Sequence, residues 1–138
     1  MKIFSRSNFI FAIIAIFLLA LSTGCQLYQP QLDDLKTGTA VDEKTKEVTS
    51  PAEIFTPNTE AIFASVLVRN ATDGTKLRTT WNWAEHPLRE ATEIDASGTR
   101  FAAFNIQRPR EGWRSGTYTV TIEIVGTDQK LQTSFVVE

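Results

Sequence analysis

The chain has 138 residues, with 14 basic and 16 acidic side chains, a formal charge of −2 and one cysteine. This balance argues against nucleic acid as a partner, and a single cysteine excludes an intramolecular disulfide, so packing must hold any fold together. At 42% hydrophobic residues, the length suits one domain of ordinary size and leaves no room for two good cores.

In chain order, Lys2 and Arg6 precede an unbroken apolar run over residues 9–21, followed by Ser22, Thr23, Gly24 and Cys25. A positive start, a short apolar stretch and small residues at its end predict a cleaved secretory signal over 1–24. As a helix the run would cover about 20 Å against a hydrocarbon core of about 30 Å. The polar Gln26, Gln29 and Gln31 cannot extend it, which argues against a retained transmembrane helix.

The order Leu21-Ser22-Thr23-Gly24-Cys25 resembles the lipobox of bacterial lipoproteins. Leu21 stands four places before the cysteine, and Ser22 holds the position three places before, where that family usually has an aliphatic residue. The resemblance implies cleavage after Gly24, lipidation of Cys25 through a diacylglyceryl thioether, and acylation of the new amino end. Several acyl chains, at about 0.8 kcal/mol per buried methylene, make a stable membrane anchor. The alternative is an ordinary signal followed by a free thiol, a liability in an oxidising compartment. Gln26 in place of an aspartate implies delivery to the outer membrane, facing the periplasm, if the source is a diderm bacterium. In any other envelope, the anchor implies the outer face of the cell membrane. Loss of Lys2 and Arg6 with the signal moves the formal charge to −4.

Residues 25–52 are rich in Gln, Asp, Glu, Lys and Thr, with Pro30 and Pro51 and few large apolar side chains. Such a composition offers too little apolar burial to offset ordering entropy, so it predicts a lipid-anchored flexible tether with a reach of about 30 Å. Val48 and Thr49 suit strands, and a short segment over 47–49 could pair with a sheet edge.

From residue 53 to 138, short apolar segments are separated by Gly, Asn, Asp and Pro, the texture of an all-β domain. The run 61–69 is apolar on both parities, predicting a strand covered on both faces. Residues 70–75, with Asn70, Asp73 and Gly74, carry turn chemistry, and a new strand is expected near Lys76. In it Leu77, Thr79, Trp81 and Trp83 share one face. Residues 90–98 are polar, with Ile94 marking a short edge strand, and residues 99–108 form another strand that Pro109 ends. The segment 111–116 is a reversal. Tyr118, Val120, Ile122 and Ile124 then line one face of a strand, and residues 126–129 make a hairpin to a last strand carrying Leu131, Thr133, Phe135 and Val137. About six or seven strands in this length favour two sheets packed face to face.

The stretch Gly112-Trp113 to Gly116-Thr117-Tyr118-Thr119-Val120, with Gly126 and the closing Phe135-Val136-Val137, resembles the last hairpin of immunoglobulin-like and fibronectin-like domains. It implies an immunoglobulin-like antiparallel β-sandwich with Trp81 or Trp83 as the core tryptophan, lacking the cysteine pair.

Chemistry is sparse. His86 beside Glu85 and Glu90 lacks a second His or Cys ligand in the domain, so no metal is expected. Asp33-Asp34 and Asp73-Gly74 match no calcium loop, and soft copper ligation lacks methionine beyond Met1. Asn70-Ala71-Thr72 fits a glycosylation sequon, with ordinary turn use as the simpler reading. No catalytic residue or cofactor is expected. Arg108, Arg110, Trp113 and Arg114 form the candidate partner-binding patch, since Arg and Trp are favoured at hot spots. The competing reading has Trp113 plugging the core while Arg100 and its neighbours pair with Glu93, Glu111 or Glu123. The expected function is a non-enzymatic binding or assembly module for an envelope protein or polysaccharide. It would use loops 85–95 and 109–115. The alternative is an accessory enzyme domain acting on envelope polymer through Glu85, His86, Glu90 and Glu93.

Overall fold

The computed structural model describes residues 29–138; the expected signal and Cys25 lie outside them. Seven strands follow in order: β1 (Gln31–Gly38), β2 (Ile54–Phe55), β3 (Ala61–Trp83), β4 (His86–Pro87), β5 (Thr92–Gln107), β6 (Gly116–Ile124) and β7 (Lys130–Val137). Among the described residues there is no helix, and the strands form one curled, half-barrel sheet in the order β1-β3-β6-β7-β2, with β4 and β5 also on β3. The sheet is mixed because β2 runs parallel to β7 while the other pairs are antiparallel.

The expected reversal at 70–75 is instead a bend within the 23-residue β3. From Val68 to Thr75 β3 advances seven residues while its partner β5 advances four, from Ala96 to Arg100. The surplus residues bulge, with Asn70 at φ 56°, Gly74 at φ 85° and Gly98 opposite at φ 73°. Bulges bend a strand and increase its twist without ending it. The surplus is odd, so the buried parity flips. Ile62, Ala64, Val66 and Val68 point to the core before the bend, and Leu77, Thr79 and Trp81 after it. Both rows enter one core with Phe104, Val120, Ile122 and Phe135. For the same reason residues 90–98 do not form a separate edge strand. Ile94 belongs to the first half of β5, hydrogen-bonded to β3 opposite Leu77.

The segment expected to be a tether is part of the domain from residue 31 onward. β1 pairs with β3 from Gln31↔Arg69 to Gly38↔Phe63, and Val41 bridges Val48. Val48 is buried at 4% exposure and its amide donates to Ser65 Oγ at 3.0 Å. Thr37 Oγ1 donates to the Ala52 carbonyl at 2.6 Å, and Lys36 Nζ to Glu47 Oε1 at 2.6 Å. Main-chain pairing along β3 needs few apolar side chains, and Leu32, Thr37 and Val48 supply the buried positions. On the outer face of residues 61–69 Ser65 is buried under this segment, while Phe63 and Leu67 are half-buried and Arg69 is exposed, so the two-sided burial expected from their apolar parity is partial.

These pairings define two poles. At one lie the start of β1, the β3 bend and the β6–β7 turn, joined by Leu32 N to Gln129 Oε1 (3.4 Å) and Val125 N to the Lys76 carbonyl (3.0 Å). At the other, residues 57–60, 84–88 and 108–117 meet through Trp113 N to Pro57 O, Arg108 N to Glu60 O and Ala84 N to Thr117 O.

Candidate partner-binding site

The second pole carries a cleft of about 500 Å³ between the β3–β5 connection and the β5–β6 connection. Of the two loops expected to form a contact surface, residues 86–88 of the first and 109–114 of the second converge here, while residues 92–95 of the first belong to β5. Two rings build the wall of the cleft and a third backs them in the core. Trp113, 4% exposed, packs edge-on against Tyr118 with centroids 5.7 Å apart, and Tyr118 stacks on Phe135 at 5.2 Å. Each polar tip is satisfied: Trp113 Nε1 donates to Thr59 O at 2.7 Å and Tyr118 OH to Arg114 O at 2.7 Å. Burial pushes the Tyr118 hydroxyl pKa above its ordinary value.

The open side of the cleft belongs to other residues. Trp83, half-buried, receives the Arg114 guanidinium over its ring at 5.3 Å. Such an exposed pair contributes about 0.5–1 kcal/mol. Gly116 approaches Trp83 so closely that a Cβ there would meet Nε1 at 3.1 Å, and its φ of 135° is one that side-chain-bearing residues rarely adopt. Leu88 is one of two large apolar side chains exposed among the described residues, at 37%. Its amide donates to Trp81 O at 2.9 Å, which fixes the loop beside the cleft.

The expected patch therefore separates. Arg114 lines the cleft and Trp113 is a core side chain whose ring only closes its wall. Arg108 is exposed and turns to Asn58 O at 3.0 Å, and Arg110 is exposed outside the cleft. The 108–114 connection turns Trp113 inward between outward-facing arginines, so neighbours in sequence do not share one surface here. The arginine pairings expected with Glu93 and Glu123 are absent: both acids pair with Arg78, at 2.7 and 3.2 Å, and raise its pKa, Glu93 most. Arg100 lies toward the opposite pole.

Of Glu85, His86, Glu90 and Glu93, only His86 lines the cleft, joined there by Glu111. Among the described residues, no group of three His, Cys, Asp or Glu side chains is placed to hold a metal ion. Trp83, Leu88 and Tyr118 were not singled out as binding residues. Leu88 had a signal, being an isolated large apolar residue in a polar loop.

No family model matches the chain, and no curated protein matches it. Among solved structures it is similar to the crystal structure of a GH3 beta-glucosidase from Bifidobacterium adolescentis. The identity is 11% and the TM-score 0.38, over 79% of this chain and 17% of that one. A likeness that distant carries no residue role or activity over to this chain.

Proposed function

We propose that the protein is an envelope lipoprotein, anchored through lipid on Cys25, whose β domain acts as a non-enzymatic binding or assembly module. The observation that carries this reading is the convergence of loops 84–88 and 109–114 around Trp83, Leu88 and Arg114. An aromatic, an exposed aliphatic and an arginine at one concave spot are the ingredients of an interaction hot spot, and recognition commonly sits on loops held by a rigid scaffold. The partner is an envelope protein or polysaccharide. In a diderm cell the module faces the periplasm from the outer membrane, and in any other envelope it stands on the outer face of the cell membrane.

The finer architecture that we propose is an immunoglobulin-like sandwich whose two sheets are joined through the bent β3 and β5. Support comes from the pairing of β3 with β1 and β5 before the bend and with β6 after it, and from the parallel β2–β7 edge. Trp81 in the core and the Tyr118 hydroxyl bonded to a carbonyl four residues upstream are further features of that fold. Fold alone assigns no ligand.

Two measurements test the function. A palmitate analogue should label the wild type and leave Cys25→Ser unlabelled; equal labelling ends the anchor reading. Affinity capture from the envelope should lose its partners with Leu88→Ser/Arg114→Ser and keep them with Asp128→Ser, on the opposite pole. If the double variant captures the same set as wild type, the cleft is the wrong surface. The alternative, an accessory domain acting on envelope polymer, requires turnover of purified polymer by the purified protein.

A further inference from the structure

We infer that a second groove, at the bend of β5, holds the headgroup of an anionic membrane phospholipid. Its volume is about 540 Å³. The floor is apolar, with Val68, Ala96 and Ala102 buried, and the rim carries Lys44, Lys46 and Arg100. Among the described residues none of these three cations forms an ion pair.

The nearby acids are engaged or stand outside the groove. Asp95 lines it but binds Lys76 at 2.8 Å. Asp42 Oδ1 accepts the amides of Lys44 and Thr45 at 2.8 and 2.7 Å. Glu43 is exposed on the same turn, and Asp73 shares an adjoining cleft with Arg100. Asp42 thereby fixes the turn that presents the two lysines, and a further bond from Lys46 N to Asp42 O at 2.8 Å closes it. Cations above apolar floor match the phosphate and glycerol portion of a lipid.

Position selects the membrane as the source. Leu32, Val68 and Arg100 are aligned across three neighbouring strands, so Arg100 lies about 10 Å from Leu32. Cys25 precedes Gln31 by six residues, a span of at most about 20 Å. This step rests on the lipid-anchored reading, because a lipid on Cys25 keeps headgroups within reach of this pole and away from the cleft.

The test uses the acylated full chain in neutral detergent micelles, with Glu43→Cys carrying a polarity-sensitive fluorophore. It is titrated with phosphatidylglycerol, phosphatidylcholine or inorganic phosphate. Phosphatidylglycerol should shift the emission to the blue. At about five-fold per basic residue, adding Lys44→Gln, Lys46→Gln and Arg100→Gln should weaken the response about 100-fold with an unchanged circular dichroism spectrum. An equal response to phosphatidylcholine, a response to phosphate alone, or a quadruple variant that responds like the parent overturns the assignment. The acyl groups on Cys25 are weighed in the same sample. Acylated protein without a phosphatidylglycerol response overturns the groove alone, whereas a response from protein without acyl groups overturns the anchor alone.

Discussion

The Tyr118 hydroxyl donates to the Arg114 carbonyl at 2.7 Å, tying the start of strand β6 to the connection that forms one lip of the cleft. The ring beneath that hydroxyl is 2% exposed, so the bond holds a loop through a core side chain. The Arg114 guanidinium over Trp83 is set from the same peptide.

Tyr118→Phe should therefore cost about 1 kcal/mol in urea unfolding, the usual net value of one hydrogen bond. It should also alter the alkaline limb of stability. Burial raises the folded pKa of Tyr118 above its ordinary value of 10.0. The raised value means that the associated stability is complete below pH 10.0 and is lost as pH rises through the folded pKa. The variant should lose that tyrosine's share of the decline; an alkaline limb identical to wild type counts against it.

Ser65→Ala removes the acceptor of the Val48 amide, which is the main-chain contact holding the 39–52 segment onto β3. Leaving a buried N–H without a partner costs about 1–3 kcal/mol. Hydrogen exchange should accelerate at Val48 and its neighbours while β6 stays protected. Uniform acceleration throughout the domain would show that the segment has no separate opening.

Thr79 Oγ1 is buried without a hydrogen-bond partner, as is Trp81 Nε1. Thr79→Val keeps the branched shape and removes a hydroxyl that burial has stripped of water. Stability should rise by about 1 kcal/mol, read as a higher urea midpoint at unchanged m-value. A fall would mean that the hydroxyl is satisfied in solution.

Asp42 accepts two backbone amides, from Thr45 and Lys44, and these hold its carboxyl pKa below the ordinary value of 3.8. A depressed pKa contributes stability that is present above 3.8 and lost as pH falls through the folded value. Amide exchange at Lys44 and Thr45, corrected for intrinsic rates, should be flat from neutral pH to about pH 4 and accelerate only below it. Acceleration near pH 6 would assign the turn's integrity to another group.

The strands with clean alternation were legible because period two survives in sequence wherever one face is buried: Tyr118, Val120, Ile122 and Ile124 are all core residues. The bend in β3 was not, since Asn70, Asp73 and Gly74 offer the same backbone freedom to a reversal as to a bulge, and only pairing with β5 decides between them. β1 was hidden for a different reason. Of its eight residues only Leu32, Thr37 and Gly38 are buried, and its pairing energy comes from backbone groups that composition does not report. At the candidate site Arg114 and the wall residue Trp113 were foreseen, and Trp83 and Leu88 were not. Arg108 and Arg110 look equivalent to Arg114 in sequence, but only Arg114 lies above an open aromatic ring.

The direction of β1 has a mechanical consequence. It runs from the pole where the chain enters the sheet toward the pole that carries the cleft, antiparallel to β3. A pull on a partner seated in the cleft, resisted at Gln31, acts along the strand axis. The β1–β3 hydrogen bonds are then strained together in shear and are not peeled one at a time, so the domain resists unfolding more strongly along this direction than across the strands.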